Sequence, residues 1–184
     1  MSGGSIIVLA ILVFAVVTIF KGLRIVPQGY KLIVQRLGKY QTTLTPGRNF
    51  VITYVDEVAY KVTTKDILMD IPSQEVITRD NSVLLMNAMA YINITTPEKA
   101  VYGIENYTWA IQNLVQTSLR SIVGEMDLDD ALSSRDHIKA KLKAAISDDI
   151  SDWGITLKTV EIQDIQPSST MQSAMEAQAA AERQ

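Results

Sequence analysis

Between Ile6 and Phe20 every residue except Thr18 is apolar (IIVLAILVFAVVTIF), and this run limits the rest of the reading. A helix on the surface of a globular protein keeps a polar face, and this one has none. Fifteen helical residues extend about 22 Å. The uncharged stretch from Ser2 to Phe20 supplies nineteen residues, close to the roughly 20 needed to cross a bilayer core. Lys21 closes the run with a side chain that can snorkel to the interface. A cleaved secretory signal fits poorly, because MSGGS carries no positive side chain and Lys21-Gly-Leu-Arg24 follows in place of a small-residue cleavage site. No proline interrupts the run, which argues against a re-entrant hairpin. The expectation is an uncleaved anchor over residues 1–24, with Ile6, Leu9, Leu12, Phe14, Val17, Phe20 and Lys21 facing the membrane. Lys21 and Arg24 flank its C-terminal end, so the N-terminus is expected outside and the body in the cytoplasm, at a cell membrane.

The averages conceal this segment. The 47% hydrophobic share of the 184 residues is a mean over the anchor, a body of ordinary make-up and an alanine-rich end. The net charge of −3 divides as unevenly: eight basic residues and two acids from Lys21 to Lys65 give +6, and nine basic residues against eighteen acids from Asp66 onward give −9. Anionic headgroups attract juxtamembrane Lys and Arg by about 1 kcal/mol each. A basic segment directly after the apolar run therefore suits a protein standing on a membrane with its acidic half pointing away. The same distribution fits nucleic-acid binding poorly, and no such partner is expected. The chain has no cysteine, which removes disulfides, thiolate nucleophiles and Cys-ligated metal centres.

Beyond the anchor the pattern is that of an α+β body. Runs rich in Val, Ile, Tyr and Thr (Tyr30 to Leu37, Phe50 to Val62, Val76 to Ile77) alternate with Pro27, Gly29, Gly38, Pro46-Gly47 and Pro72, as strands alternate with turns. The clearest strand is Val83 to Ile94, whose even positions Leu84, Met86, Ala88, Ala90, Ile92 and Ile94 are all apolar. At Thr96-Pro97 the period becomes helical, with Thr96 as the expected N-cap and Pro97 at the first helical position. Helices are expected from about Thr108 to Gly124 and from about Arg135 to Asp152, the second stopped by Trp153-Gly154. Ile155 to Ile165 then returns to strand. The organisation predicted is the anchor, a strand-rich subdomain over 25–95, a helix-rich subdomain over 96–167, and the start of a long helix over 168–184. In that last segment Met171, Ala174 and Met175 begin a narrow apolar stripe with no stop signal before Gln184, as in a helix that packs on a copy of itself.

The search for reactive groups assigns no catalytic residue, cofactor or metal ligand. The single His137 sits in Ser133-Ser-Arg-Asp-His137, the polar start of a helix, where a surface role is expected rather than that of a base held against a serine. Asp127, Asp129 and Asp130 lack the glycine and the bidentate glutamate of an EF-hand loop, and Asp127 is expected to cap a short helix from Leu128 to Ser133. One feature breaks a local rule. Lys139, Lys141 and Lys143 lie toward the N-terminal end of their helix and Asp148, Asp149 and Asp152 toward its C-terminal end, opposite to what the helix dipole favours. Opposite charge on a neighbouring subunit would offset this, so the three lysines join Met171 and Met175 as candidate oligomer contacts.

Val26-Pro-Gln-Gly-Tyr30, Val34-Gln-Arg-Leu-Gly-Lys-Tyr40, Leu44-Thr-Pro-Gly47, Ile71-Pro-Ser-Gln-Glu-Val76, Thr78-Arg-Asp-Asn81, Trp153-Gly-Ile155 and Val160-Glu-Ile-Gln-Asp-Ile165 together resemble the stomatin/prohibitin/flotillin/HflK-C (SPFH, or band 7) domain. The match is nearest its stomatin-like branch, with QmcA and paraslipin, and covers about residues 24 to 184. The resemblance implies two α/β subdomains followed by a coiled-coil helix. It also implies a scaffold without catalysis, forming large homo-oligomeric rings or cages that organise membrane microdomains and enclose or regulate membrane proteins. Partners implied are copies of the chain, the lipid bilayer, an NfeD-type membrane protein and membrane proteases. Thr53 departs from the family, which usually carries proline there, and so leaves the course of Phe50-Val-Ile-Thr-Tyr-Val-Asp56 open. Phe50, Ile52 and Tyr54 either dip into the bilayer interface or belong to a core strand, with the core strand preferred. Two other classes compete with the scaffold: a membrane-tethered hydrolase using His137, and a monomeric anchored binding module.

Overall fold

The computed structural model describes residues 3–169 and 172–173. Its contacts fall into two compact units, Met1–Lys65 and Asp66–Gln184.

The first unit begins with α1 (Gly3–Gly22), which passes without a linker into β1 (Leu23–Val26). Then follow β2 (Tyr30–Arg36), β3 (Lys39–Leu44), β4 (Gly47–Phe50) and β5 (Asp56–Thr63). β1 pairs antiparallel with β4, and β2 lies between β3 and β5 in a second antiparallel sheet. A small core of Val26, Val34, Leu44 and Val51, flanked by Tyr30, Leu32 and Val58, joins these strands. The β2–β3 turn places Leu37 and Gly38 at φ 51° and 80°. A tight hairpin needs this left-handed geometry, but leucine tolerates it badly.

The second unit has a three-stranded antiparallel sheet in the order β6 (Ile67–Ile77), β7 (Val83–Ile94) and β8 (Ile155–Pro167). Between β7 and β8 run α2 (Pro97–Tyr102), α3 (Tyr107–Gly124), α4 (Leu128–Ser133) and α5 (Arg135–Asp152). The six even-numbered apolar residues of β7 are all buried, as their alternation predicts. α3 packs on β6, α5 packs on β8, and the two helices pack on each other. Ile111, Val115 and Leu119 of α3 and Ile138, Leu142, Ile146 and Ile150 of α5 are fully buried. The four-residue spacing of the α5 set accounts for its orientation. Gly154 stops α5 in a left-handed conformation, φ 71°, and its carbonyl accepts the N–H groups of Thr95 and Thr96 at 3.0 and 2.9 Å. A Cβ there would meet Thr96 O at 2.4 Å, so only glycine fits the corner.

Several expectations are corrected. The boundary expected at 95/96 does not coincide with the division of the fold at Lys65/Asp66. β6 and β7 belong with the helices because β8, far along the chain, completes their sheet: Leu84 to Ile94 align with Pro167 to Ile155. Thr96 flanks α2 but makes no side-chain cap. Nor does Asp127 cap α4. Its carboxylate instead takes the Arg79 guanidinium, at 2.9 Å from Nε, and Asp80 Oδ2 accepts the Leu128 N–H at 3.3 Å. With Arg79 N–H donating to Met126 O at 2.8 Å, the β6–β7 turn is pinned to the start of α4. Thr78 and Leu128, by their hydrogen bonds, hold the Asp80 carboxyl below the usual range. The coiled coil expected over 168–184, including Met171 and Met175, lies outside the described residues. Within them, Gln172 N–H donates to Ser168 O at 2.9 Å.

Candidate membrane interface

α1 is the one helix among the described residues long and apolar enough to cross a membrane, over Gly4–Gly22. The side chains of Ile6, Leu9, Leu12, Phe14, Val17, Phe20 and Lys21 are exposed around it, as a segment solvated by lipid requires. Its C-terminal end is fixed to the strand-rich unit. Val51 N–H donates to Gly22 O at 2.9 Å, which satisfies one of the carbonyls that a helix end leaves unpaired. Gly22 itself is buried, and a Cβ on it would meet Val51 O at 2.7 Å and the Phe50 ring at 2.8 Å.

The segment after β4 is where the structure departs most from the preferred reading. Residues 51–55 form a loop, not a core strand, because the chain turns on itself. Val55 and Asp56 both donate their N–H to Ile52 O, at 3.1 and 2.9 Å, and Asp56 Oδ2 accepts the Ile52 N–H at 2.9 Å. Val51 alone enters the core, at 5% exposure, while Phe50, Ile52 and Tyr54 stand out at 59%, 47% and 62%. The loop lies along the helix. The Tyr54 ring stacks on Phe14 with centroids 5.9 Å apart, and its hydroxyl lies 3.3 Å from that of Thr18. Phe14 and Thr18 precede Gly22 by two turns and one turn, so at 1.5 Å per residue Tyr54 sits about 6–12 Å up the helix from its end.

Charge anchors the base of the loop. Arg36 holds Asp56 through two hydrogen bonds, Nε–Oδ1 at 2.7 Å and Nη2–Oδ2 at 3.1 Å, the bidentate geometry that makes arginine–carboxylate pairs specific. The guanidinium, and after it the Ile52 N–H, keeps the Asp56 carboxyl below its ordinary range. Thr53, the departure from the family pattern, has a buried hydroxyl with no hydrogen-bond partner.

The remaining candidates lie in the second unit. Lys139 pairs with Glu161 of β8 at 2.5 Å, and Lys143 Nζ donates to Lys158 O at 3.0 Å. The unfavourable order of charge along α5 is therefore offset for two of its three lysines by β8, a partner that helix periodicity does not reveal. Lys139 holds the Glu161 carboxyl below its usual range, with a lesser contribution from Thr159. Lys141 is exposed and makes no ion pair or side-chain hydrogen bond among the described residues. His137 is exposed in the first turn of α5, and no serine hydroxyl bonds to it among the described residues. No group of three or more His, Asp or Glu suited to a metal ion occurs among those residues.

With this arrangement in place, comparison with known proteins is informative. The family described as "SPFH domain / Band 7 family" matches residues 24–184. A stomatin homolog of Pyrococcus horikoshii is 37% identical over 174 residues, covering 95% of this chain and 65% of that protein. An uncharacterized protein of Methanocaldococcus jannaschii is 38% identical over 171 residues, covering 93% of this chain and 85% of the other. An uncharacterized protein of Mycobacterium tuberculosis is 32% identical over 181 residues, 98% of this chain but 48% of its own. The chain thus spans about half the length of the mycobacterial relatives it matches.

Proposed function

The chain belongs to the SPFH domain, or Band 7, family, and from that membership we propose that it is a stomatin-like, membrane-anchored scaffold. It assembles with copies of itself into large rings or cages and carries out no catalysis of its own. The observation that carries the membrane part is the junction of α1 with the strand-rich unit: no linker, a buried Gly22, and an apolar loop laid along the helix. With α1 in the bilayer and Lys21 at its surface, Phe50, Ile52 and Tyr54 lie within the interfacial and outer acyl region, where aromatic side chains are favoured. The strand-rich unit then sits in the leaflet surface, not at the end of a flexible tether.

Family membership supports self-assembly. The terminal segment from 168, read as the start of a coiled coil with Met171 and Met175 in its seam, and Lys141 on the exposed side of α5 are the surfaces assigned to it. Orientation follows from Lys21 and Arg24: N-terminus outside, body in the cytoplasm. An NfeD-type membrane protein and membrane proteases are the partners this reading favours. The test is the size of the particle released from membranes in mild detergent by the protein with everything its gene encodes. A closed multi-subunit particle is expected, diminished by K141E. A monomer overturns the scaffold reading, and a reporter fused at Gln184 that is active only outside the cell overturns the orientation.

A further inference from the structure

A cleft of about 680 Å3 opens in the strand-rich unit, within the size range of small-ligand sites. Arg24 and Ile25 of β1, Thr53 and Val55 of the loop, and Glu57 and Val58 of β5 contribute to its walls. Tyr54 lines it too, and the same ring stacks on Phe14 of α1. On the reading that α1 crosses the bilayer, which this inference rests on, the cleft lies at the bilayer surface and draws its occupant from the membrane.

The charges select among lipids. Asp56 also lines the cleft, but its carboxylate is taken by Arg36. Arg24 and Glu57 are exposed, and neither makes an ion pair or side-chain hydrogen bond among the described residues. The cleft therefore offers one available cation and one available anion beside the apolar wall of Ile25, Val55 and Val58. A wholly anionic headgroup would meet Glu57 unfavourably, and a cationic one would meet Arg24. A zwitterion complements both. We propose that this cleft seats the headgroup of a zwitterionic aminophospholipid, phosphate toward Arg24 and ammonium toward Glu57, with the start of the acyl chains along the apolar wall.

The experiment is mass-spectrometric measurement of phospholipid retained by the full protein after flotation of its membranes and purification in mild detergent. Phosphatidylethanolamine is expected to be enriched over phosphatidylglycerol relative to the bulk membrane. R24Q is expected to lower its retention roughly tenfold, the loss of one charge-assisted hydrogen bond. E57Q is expected to keep lipid but lose the preference for the zwitterion. R48Q, at a basic residue of the same segment that does not line the cleft, serves as the control and should leave the retention of phosphatidylethanolamine unchanged. Equal loss in R24Q and R48Q, an unchanged preference in E57Q, or retained lipid of bulk composition each overturns the proposal. So does binding of soluble glycerophosphoethanolamine as tight as that of the lipid, which would make the occupant a soluble phosphodiester. Protein that floats with the membrane yet carries bulk lipid refutes the cleft and leaves the membrane reading intact, whereas protein that does not float refutes both.

Discussion

The two units bury their apolar residues in different ways. In Asp66–Gln184 one face of a three-stranded sheet is covered by α3 and α5, and side chains such as Leu84, Met86, Ile111, Leu142 and Ile146 are wholly removed from water. In Met1–Lys65 four buried residues and three partly buried ones form the core that joins the strands, with Ile33 and Val62 also buried, while α1, Phe50, Ile52 and Tyr54 leave large apolar surfaces exposed. A soluble protein rarely tolerates such a patch unless another phase or partner covers it. The second unit buries its apolar face within itself, and the first leaves much of its apolar surface uncovered.

The largest expected effect that tests this contrast is in the second unit. L142A or I146A should cost about 2–5 kcal/mol through lost burial and an unfilled cavity, read as a lower thermal midpoint in detergent and in bilayers alike. In the first unit V34A removes two methyl groups and should cost about 2 kcal/mol. Its cost should shrink when the protein is moved from detergent to a bilayer, and equal costs in both would break the comparison. G22A forces a methyl against Val51 O and the Phe50 ring, an overpacking worth about 1–3 kcal/mol. Chymotrypsin should then cut faster at Phe50 or Tyr54, while cleavage within the second unit stays unchanged.

Smaller effects refine the picture. Leu37 is 88% exposed at φ 51°, so L37G relieves strain without losing burial and should stabilise the first unit by about 0.5–1 kcal/mol, the glycine's greater unfolded entropy offsetting the rest. The smallest effect is on acid sensitivity. Asp56 has a depressed folded-state pKa because of Arg36. Its contribution is therefore present above the ordinary carboxylate value near 3.9 and is lost as pH falls through the lower folded value. R36Q should flatten this part of the acid unfolding curve of the first unit and leave untouched the part that depends on Asp80 and Glu161 in the second.

How much was legible in the sequence varied with how local the cause was. The apolar helix α1 is written in one unbroken run and the strand Val83–Ile94 in one period, and α5 spans Arg135–Asp152 as its spacing predicts. Phe50-Val-Ile-Thr-Tyr-Val55 has strand composition, which favours a core strand over an interfacial loop, yet residues 51–55 form a loop because the bonds that turn it, from Val55 and Asp56 to Ile52 O, depend on backbone geometry and not on side-chain pattern. Asp127 resembled a cap because its neighbours fit the motif, yet Arg79, 48 residues away, claims its carboxylate. The lysines of α5 looked unmatched for the same reason, since Glu161 lies beyond the helix.

The sequence by itself determined which segments are apolar, where α5 stops, and that the basic residues gather next to the apolar run, because hydropathy, glycine conformation and charge are properties of residues in short windows. Only the tertiary structure decided that the chain divides at Lys65, that Gly22 must lack a side chain, that Phe50 and Tyr54 stand beside α1, and that Arg24 and Glu57 share a cleft. Each of these depends on atoms distant in sequence meeting in space, and the register between strands that brings them together is set by the packing of the whole unit.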